Sequence, residues 1–481
     1  MKINILEGLQ GINEFCVEKM KQWKLPGMAI AVLKGEEIVL LSELGLRDME
    51  KNLKVTKNTL FPIGSATKAF TSLAVGMLVE EGKLQWDTPI KNYIPHFEMK
   101  NRYVGEHLTI KDMLCHRSGL PRHDAIWYTN ASLSRKELVD KIKNLELSKD
   151  FREVWQYNNI MYGAVGYIIE AVSGMSYEEF VEKRIFKPLG MNHSNFSVDA
   201  MKSSMDFSKP YSAKGEEVKQ IPFKTLNAIG PAGAINSNLV DMIKWLRFHM
   251  NKGKINGNEI ITEKNLTQMH SPQIPCQLIP WGFEEVQFSS YGLGWFIESY
   301  RGRKHINHGG NIDGFASYVS FMPEENLGMI ILTNLNSAFN TLPIAYSIYD
   351  KILGYEDTDW DGRVKNTIDK MMKSMENINE IAATPLKETE KPLQSLEAYT
   401  GLFENSGYGA LKIEKEGENL KLIYNDLECV LKHKCNNVFV FKMIEYYTIT
   451  VTFNCDSDGN INSISIPFEQ SVKEIVFKRC K

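Results

Sequence analysis

Ser65 and Lys68 lie three residues apart in the segment FPIGSATKAF, residues 61–70, where a helix is predicted to begin. From Ala66 to Leu78 apolar residues recur at helical spacing and also fill the other faces, which predicts a buried helix. Lys68 would then lie one turn after Ser65 on the same side, and burial would lower the pKa of its amine. A serine hydroxyl is a weak nucleophile until such a base takes its proton. The pair is therefore a candidate nucleophile with its base.

A purely structural interpretation of the same pair stays open. Ser65 would only cap the helix, and the Lys68 side chain would extend to water. The chemical interpretation adds that free N–H groups and the positive end of the helix dipole would stabilise an oxyanion beside Ser65. Because a serine three residues before a lysine is common by chance, the pair needs partners elsewhere in the chain.

Two further motifs offer such partners. Tyr157-Asn158-Asn159 lies directly before a predicted helix, and a tyrosine beside an ammonium ionises more easily and passes protons. The Asn159 amide can bind a substrate amide as donor and acceptor together. His308-Gly309-Gly310 precedes a predicted strand, where two glycines would let a ligand lie against the backbone edge. The structural alternatives are a buried tyrosine at a helix start and a glycine-rich turn with an exposed histidine.

The composition narrows the function classes. A chain of 481 residues is expected to form two domains or more. The formal net charge of −3 offers no basic surface for nucleic acid. The seven cysteines are odd in number and form no CxxC pair, which argues against a disulfide framework and a zinc site. Because the sequence shows neither a signal peptide nor a membrane span, the cytoplasm is the expected location.

A metallohydrolase is a further alternative, with His116 and His123 or His305 and His308 as ligands. Neither pair belongs to a glutamate-bearing HExxH helix, and the first pair lies in a segment punctuated by proline and glycine. We therefore expect no metal and no cofactor.

The order of predicted elements gives the fold class. Residues 28–33 and 38–41 are predicted to form a β-hairpin, and a helix is predicted over 66–81. Residues 83–290 are mostly helices and loops, after which strands return at 292–297, 316–321 and 329–333. This order predicts an α/β fold, in which an antiparallel sheet is flanked by helices and carries an all-helical insertion.

The sequence divides into three parts. We predict a first domain over residues 1–355, a polar linker over 356–390 with helical character at 364–375, and a second domain over 391–481. In the last part short alternating strands follow one another, separated by turns such as Asp458-Gly459. This pattern predicts a small antiparallel β-barrel.

Together the motifs SxxK, YxN and HxG, in this order and spacing, resemble the serine β-lactamase and penicillin-binding protein superfamily. The resemblance spans roughly residues 10–350 and is greatest to the class C-like branch of S12 peptidases and esterases. It implies the β-lactamase/transpeptidase-like fold. The segment that begins at Leu396 resembles the lipocalin-like C-terminal domain that some of these hydrolases carry.

The resemblance also implies the roles of the first two motifs. Ser65 would be the nucleophile that forms an acyl-enzyme. Lys68 and Tyr157 would share the general-base and general-acid work, and which of them takes the first proton is left open. Asn159 would hold the substrate's amide.

The third motif departs from typical β-lactamases, which have Lys-Thr-Gly. His308, Gly309 and Gly310 would line the site, with His308 orienting a carboxylate or the proton network. The backbone N–H groups of Ser65 and Asn311 would form the oxyanion hole. A histidine is mostly neutral near pH 7, so the cation that grips a β-lactam carboxylate is replaced. This argues against efficient antibiotic hydrolysis and leaves slow acylation by penicillins open.

The sequence thus predicts a serine hydrolase that acts through an acyl-enzyme on a small peptide, ester or β-lactam, with D-amino-acid residues among the candidates. The alternatives are a β-lactamase or penicillin-binding receptor that turns over slowly, and a non-catalytic scaffold of this fold. No nucleic acid and no transmembrane segment is expected, and a homo-oligomer is compatible with the sequence.

Overall fold

The structure is a computed structural model that describes residues 8–276, 282–337, 339–383, 391–444 and 447–480. Within these ranges nine strands form one antiparallel sheet in the spatial order β4-β5-β6-β7-β8-β9-β1-β2-β3. The bounds are β1 Gly27–Lys34, β2 Glu37–Asp48, β3 Leu53–Lys54, β4 Ile274–Pro275, β5 Val286–Tyr291, β6 Phe296–Tyr300, β7 Arg303–Ile312, β8 Phe315–Met322 and β9 Leu327–Thr333.

Strand β1 lies inside this sheet, between β9 and β2. Its sequence GMAIAVLK is buried up to the last residue, as expected of a strand that is covered on both faces. Successive side chains point to opposite faces. Ala29 and Ala31 join one apolar core, whereas Ile30 and Val32 join the other.

Helices supply these two cores. The longer ones are α1 Ile12–Trp23, α2 Thr67–Glu80, α3 Arg135–Ile142, α4 Asn159–Ser173, α5 Leu239–Met250, α6 Thr341–Leu353 and α7 Trp360–Ala383. Helices α1 and α6 cover one face of the sheet, and α2 and α5 cover the other. Helix α2 is buried on all sides along most of its length, so its N-terminal residues are held in the core. No helix of the described ranges is both long enough and apolar enough to span a bilayer.

Between α2 and β4 the chain consists mostly of helices and loops, as predicted. Besides α3, α4 and α5, the short helices there are Arg102–His107, Ile110–Leu114, Ala125–Tyr128, Tyr177–Val181, Lys187–Leu189, Val198–Lys202, Gly230–Gly233 and Glu263–Met269. Short strand pairs interrupt them: Phe61–Pro62 with Asn236–Ser237, Tyr211–Lys214 with Glu217–Gln220, and Lys254–Ile255 with Asn258–Glu259.

The predicted hairpin at 28–41 is confirmed and becomes β1 and β2. The strand predicted at 292–297 begins later, at Phe296, because Gly294 adopts the left-handed backbone conformation of a turn, with φ of 78°. His308 and both following glycines lie inside β7, so the expectation that this motif precedes a strand was wrong.

The C-terminal part forms a closed antiparallel barrel, which confirms the predicted architecture. In the described residues its eight strands follow their order in the sequence, and the circle closes between the first and the last at Phe403 and Arg479. They are β10 Gly401–Asn405, β11 Gly409–Glu416, β12 Asn419–Tyr424, β13 Leu427–Cys435, β14 Val438–Ile444, β15 Tyr447–Cys455, β16 Ile461–Ile466 and β17 Ile475–Arg479, with the short helix Leu396–Tyr399 before β10.

Helix α7 occupies much of the segment predicted to be a linker. Its first residue, Trp360, is fully buried, and the Trp360 indole donates a hydrogen bond of 2.9 Å to Asp350 at the end of α6. Val364 also belongs to the core beneath α6. The beginning of this segment therefore packs on the first domain, while residues 384–390 lie outside the described residues. The boundaries at 355/356 and 390/391 stay predictions.

Candidate active site

Ser65 lies in a short 3₁₀ turn, Gly64–Ala66, directly before α2. Gly64 adopts φ of 52°, and a Cβ on it would lie 2.8 Å from the backbone nitrogen of Asn311 in β7. Only glycine permits this conformation and this approach without strain. The turn that carries Ser65 and the backbone of Asn311 are therefore neighbours, which is the arrangement that an oxyanion hole built from their N–H groups requires.

The Lys68 amine lies fully buried at the start of α2. Its Nζ is 3.2 Å from Ser65 Oγ, 2.8 Å from Asn159 Oδ1 and 3.0 Å from the carbonyl oxygen of Ala232. Burial lowers the pKa of Lys68 well below its ordinary value, and the positive charge of Arg122 lowers it further. The amine is therefore shifted toward its neutral form.

The three contacts fix what a neutral Lys68 can do. An amide oxygen and a peptide oxygen only accept hydrogen bonds, so Asn159 and Ala232 take both N–H groups of the neutral amine. The nitrogen lone pair is then left for the Ser65 hydroxyl, which can donate its hydrogen to it. The geometry thus presents a base to the hydroxyl and gives Asn159 a contact with the lysine in addition to its predicted contact with substrate.

Tyr157 lies beside the same pair, just before α4. Its ring centroid is 4.6 Å from Lys68 Nζ, and it lines the same cleft as Ser65. Burial raises the pKa of Tyr157 above its ordinary value, although the neighbouring Ser65 and the charge of Arg122 act in the opposite direction. The expectation of an easily ionised tyrosine was therefore wrong, because burial disfavours the charged phenolate more than Ser65 and Arg122 favour it. A protonated Tyr157 is suited to donate a proton.

His308 is buried and has both ring nitrogens engaged. Nδ1 is 2.6 Å from the carbonyl oxygen of Gly309, and Nε2 is 2.9 Å from the Tyr291 hydroxyl. Because the carbonyl only accepts, Nδ1 carries the hydrogen, and Nε2 accepts from Tyr291. Burial lowers the pKa of His308 to about 3, with the charge of Lys68 acting in the same direction. His308 is a neutral side chain held by Tyr291 and offers no free ring nitrogen to a carboxylate.

The two glycines after His308 differ in their surroundings. A Cβ on Gly310 would overlap the carbonyl oxygen of Ile63, just before the Ser65 turn, and also the Ser317 hydroxyl. A Cβ on Gly309 would meet its nearest neighbour at 3.7 Å, an ordinary contact distance. Gly310 is thus the position at which β7 lies close against the nucleophile turn.

These groups open into a cleft of about 390 Å³. Ser65, Tyr157, Asn159 and the strand from His308 to Asp313 line it, and the opposite wall carries Arg122, Asp124, Trp127 and Tyr128. The two walls meet where the Tyr128 hydroxyl donates a hydrogen bond of 2.9 Å to Asp313 Oδ2. The cleft, with the Lys68 amine directly behind Ser65, therefore brings together every residue predicted for the site.

We call residues 122–131 the wall segment, because some of its residues face the cleft while others bind the barrel. His123 Nδ1 is 2.7 Å from the Tyr408 hydroxyl, and its backbone N–H donates to Glu469 at 3.0 Å. The backbone N–H of Asp426 donates to the Thr129 carbonyl at 2.7 Å, and its carboxylate accepts from the Ala131 N–H at 2.6 Å. The barrel therefore holds one wall of the cleft.

Several residues of this arrangement carried no signal in the sequence. Arg122 and Tyr128 line the cleft, and Tyr291 holds His308, only because of the tertiary fold. His116 and His123, considered as metal ligands, are used differently: His116 Nδ1 accepts from the Asn158 N–H at 3.1 Å, and His123 binds the barrel. Among the described residues no group of three or more His, Cys, Asp or Glu side chains is arranged to hold a metal ion.

Comparison with known proteins agrees with this geometry. The sequence pattern of the Beta-lactamase family matches residues 12–346. The chain belongs to the Beta-lactamase family. Residues 386–479 match a second pattern, described as a domain of unknown function, DUF3471. The superfamily inferred from the three motifs is thus confirmed.

Relatives cover most of the chain. Unguisins hydrolase ungD of Aspergillus violaceofuscus (strain CBS 115571) is 29% identical over 464 residues, which are 90% of this chain and 81% of that protein. The octameric penicillin-binding protein homologue from Pyrococcus abyssi has a TM-score of 0.65 at 23% identity, covering 98% of this chain and 100% of its own. The class C β-lactamase from Rhodobacter sphaeroides has a TM-score of 0.59 at 21% identity, covering 71% of this chain and 99% of its own. These likenesses confirm the predicted fold of the β-lactamase/transpeptidase type.

Proposed function

We propose that this protein is a serine hydrolase that forms a covalent acyl-enzyme on Ser65 with peptide or ester substrates. The observation that carries the proposal is the environment of Lys68. Burial favours the neutral amine by lowering its pKa, and two obligate acceptors take its N–H groups. Its lone pair is left 3.2 Å from the Ser65 hydroxyl, as a general base requires.

Acylation follows from these positions. Lys68 takes the hydroxyl proton while Ser65 Oγ bonds to the substrate carbonyl carbon. The carbonyl oxygen becomes negative in the oxyanion hole formed by the Ser65 and Asn311 N–H groups. When the tetrahedral intermediate collapses, Tyr157 passes the proton from Lys68 to the leaving oxygen or nitrogen, and the acyl group stays on Ser65.

Deacylation uses the same groups with water as the nucleophile. Lys68 and Tyr157 take a proton from water as its oxygen bonds to the acyl carbon, and Ser65 Oγ regains a proton as it leaves. The free acid is then released and the site returns to its first state. Each proton removed from a nucleophile is returned to a leaving group, so the cycle needs no cofactor.

The finer assignments are also proposals. An S12 peptidase or esterase activity and the acceptance of D-residues rest on the motif resemblance, and hydrolysis agrees with the name of the relative Unguisins hydrolase ungD. A β-lactamase or slowly deacylating receptor is the alternative. The neutral His308, which has both nitrogens engaged, favours slow turnover of β-lactams over efficient hydrolysis. A lipocalin-like barrel and a cytoplasmic location stay predictions.

A homo-oligomer is a further part of the proposal. It is supported by the fold neighbour from Pyrococcus abyssi, which is described as octameric. Light scattering on the purified chain measures the mass in solution. A mass of one chain at micromolar concentration would overturn this part alone.

Labelling of Ser65 tests the central proposal. A fluorescent fluorophosphonate should label the wild-type protein and fail to label Ser65→Ala. The matched control is Ser203→Ala, which removes an exposed hydroxyl that only binds the Asp199 carbonyl in its own helix, and it should be labelled like wild type. Equal labelling of Ser65→Ala, located by peptide mass spectrometry, would exclude Ser65 as the nucleophile. A panel of p-nitrophenyl esters, D-aminoacyl anilides, D-Ala-D-Ala peptides and nitrocefin then identifies the substrate class.

A further inference from the structure

We propose that Arg122 binds a carboxylate of the substrate, so that the preferred substrates of the Ser65 site carry an acidic group close to the bond that is cleaved. The inference rests on the proposed function. It assigns the recognition of the acidic group to a residue outside the three motifs, which the motif resemblance does not do.

Arg122 lines the same cleft as Ser65, and only one nitrogen of its guanidinium has a hydrogen-bond acceptor among the described residues. Its Nε donates to Asp124 Oδ2 at 2.5 Å. Within the described residues the structure shows no hydrogen bond from its two terminal nitrogens. The side chain is half exposed, with 50% of its surface accessible, and its Cζ lies 5.5 Å from the centre of the Tyr157 ring.

A carboxylate is the group that fits these donors. The terminal nitrogens of arginine lie in one plane and can donate two parallel hydrogen bonds to the two oxygens of a carboxylate. The cation–π contact with the Tyr157 ring and the bond to Asp124 restrain the guanidinium before a ligand arrives, which lowers the entropy lost on binding. Arg122 is therefore a prepared site for an anion beside the proton donor.

Each of the other charged groups of the cleft has at least one partner in the protein. Asp124 accepts from Arg122 and also from the Trp127 indole, at 2.8 Å. Asp313 accepts from the Tyr128 hydroxyl, and Lys224 Nζ donates to the Tyr128 carbonyl. The carboxylates of Asp124 and Asp313 could instead bind an amine of the substrate, but each already accepts a hydrogen bond from the protein. The terminal nitrogens of Arg122, by contrast, have no acceptor among the described residues.

Arg122 can also replace the cation that typical β-lactamases carry on the strand corresponding to β7. His308 stands where typical β-lactamases have a lysine, and it is neutral with both nitrogens occupied. A substrate carboxylate thus meets no cation on that strand. Arg122 supplies one on the opposite wall, and the next residue, His123, is bonded to the barrel. The acidic group of the substrate is accordingly expected to point toward the wall segment.

Matched esters test the assignment. The probes are the phenyl, 3-carboxyphenyl and 3-aminomethylphenyl esters of N-acetyl-D-alanine and N-acetyl-L-alanine, assayed with wild type, Arg122→Gln, Arg122→Lys and Arg184→Gln. Arg184 is a partly buried arginine paired with Glu81 and is not among the residues that line the cleft. It serves as the control for loss of one charge. All four proteins are compared by thermal unfolding to show that they fold.

Wild type is expected to prefer the carboxyphenyl ester by about tenfold or more in kcat/KM, which corresponds to about 1.4 kcal/mol. Arg122→Gln should remove that preference, chiefly through KM, Arg122→Lys should keep part of it, and Arg184→Gln should keep all of it. Equal losses for the acidic and neutral esters, or a wild-type preference for the aminomethyl ester, would overturn the proposal.

A binding measurement separates this inference from the proposed chemistry. Calorimetry on Ser65→Ala, with and without Arg122→Gln, measures the affinity for the 3-carboxyphenyl ester of N-acetyl-D-alanine and for the neutral phenyl ester. Binding of the acidic ester that depends on Arg122, in a protein whose wild type is not labelled by fluorophosphonate, would uphold the carboxylate site and refute the acyl-enzyme. Labelling at Ser65 without any Arg122-dependent preference would refute only the carboxylate site.

Discussion

Removing a single hydroxyl from the barrel should disturb the cleft in the other domain. Tyr408→Phe deletes the group that hydrogen-bonds His123 Nδ1 at 2.7 Å. His123 Nε2 bonds the Glu146 carbonyl at 2.9 Å, so it carries the ring hydrogen, and Nδ1 is an acceptor that loses its donor. We therefore expect the wall segment to shift relative to the barrel.

The magnitude follows from the burial of both partners. His123 and Tyr408 are 0% and 3% exposed, and a buried polar group left without a partner costs about 1–3 kcal/mol. If the shifted wall segment weakens binding of the transition state by this whole free energy, kcat/KM falls by a factor of about 5 to 150, since each 1.4 kcal/mol is tenfold. We expect a loss of at least about fivefold for substrates that fill the cleft.

Tyr424→Phe is the matched control. Its hydroxyl donates to the Tyr408 carbonyl at 3.0 Å inside the barrel, and its ring, like that of Tyr408, stacks on Phe468. The same atom is removed from a buried tyrosine, but no contact with the wall segment is lost. The assay combines urea unfolding with kcat/KM for the ester panel. If both variants lower kcat/KM equally, or if Tyr408→Phe lowers only the free energy of unfolding, the barrel does not hold the cleft wall.

Three further predictions concern the site itself. Tyr157→Phe should reduce turnover by about 10²-fold, the usual scale for an acid–base group, measured as kcat at saturating ester; an unchanged kcat would remove Tyr157 from the proton path. Burial lowers the pKa of Lys68 and raises that of Tyr157 above its ordinary value of 10.0. The value of kcat/KM should therefore rise with pH as Lys68 loses its proton, and no decline is expected at any pH up to 10. Lys68→Arg, which keeps a permanent cation, should show no activity at any pH. Gly310→Ala should lower the melting temperature far more than Gly309→Ala, because only the first Cβ overlaps Ile63; equal shifts would contradict the close approach of β7.

The sequence determined the parts of the site that depend on local spacing. Ser65 and Lys68 lie three residues apart at the start of an apolar helix, and helical geometry alone brings their side chains together. Tyr157 and His308 come close to Ser65 and Lys68 only through the fold of more than two hundred intervening residues. Their proximity could therefore be predicted only from the resemblance of the three motifs. The strand pattern of the barrel was equally readable, because alternation and turns are local.

The remainder required the tertiary structure. Tyr291 is one of several tyrosines in apolar surroundings, and its sequence context does not show that it will hold His308. The neighbours of Arg122 predict only a loop rich in proline and charge. The raised pKa of Tyr157 and the lowered pKa of Lys68 both come mainly from burial, which the surrounding fold produces. Mutual contacts of this kind have no signature in the spacing of residues.

The contact between the wall segment and the barrel bears on how this architecture can be recombined. A chimera that joins the catalytic domain of one homologue to the barrel of another would pair a segment at 122–131 with foreign partners at 408, 426 and 469, even though both folds stay whole. Crossovers that transplant these positions as one set should yield active hybrids, whereas a simple exchange at the connecting helix should give folded proteins with an altered choice of substrate.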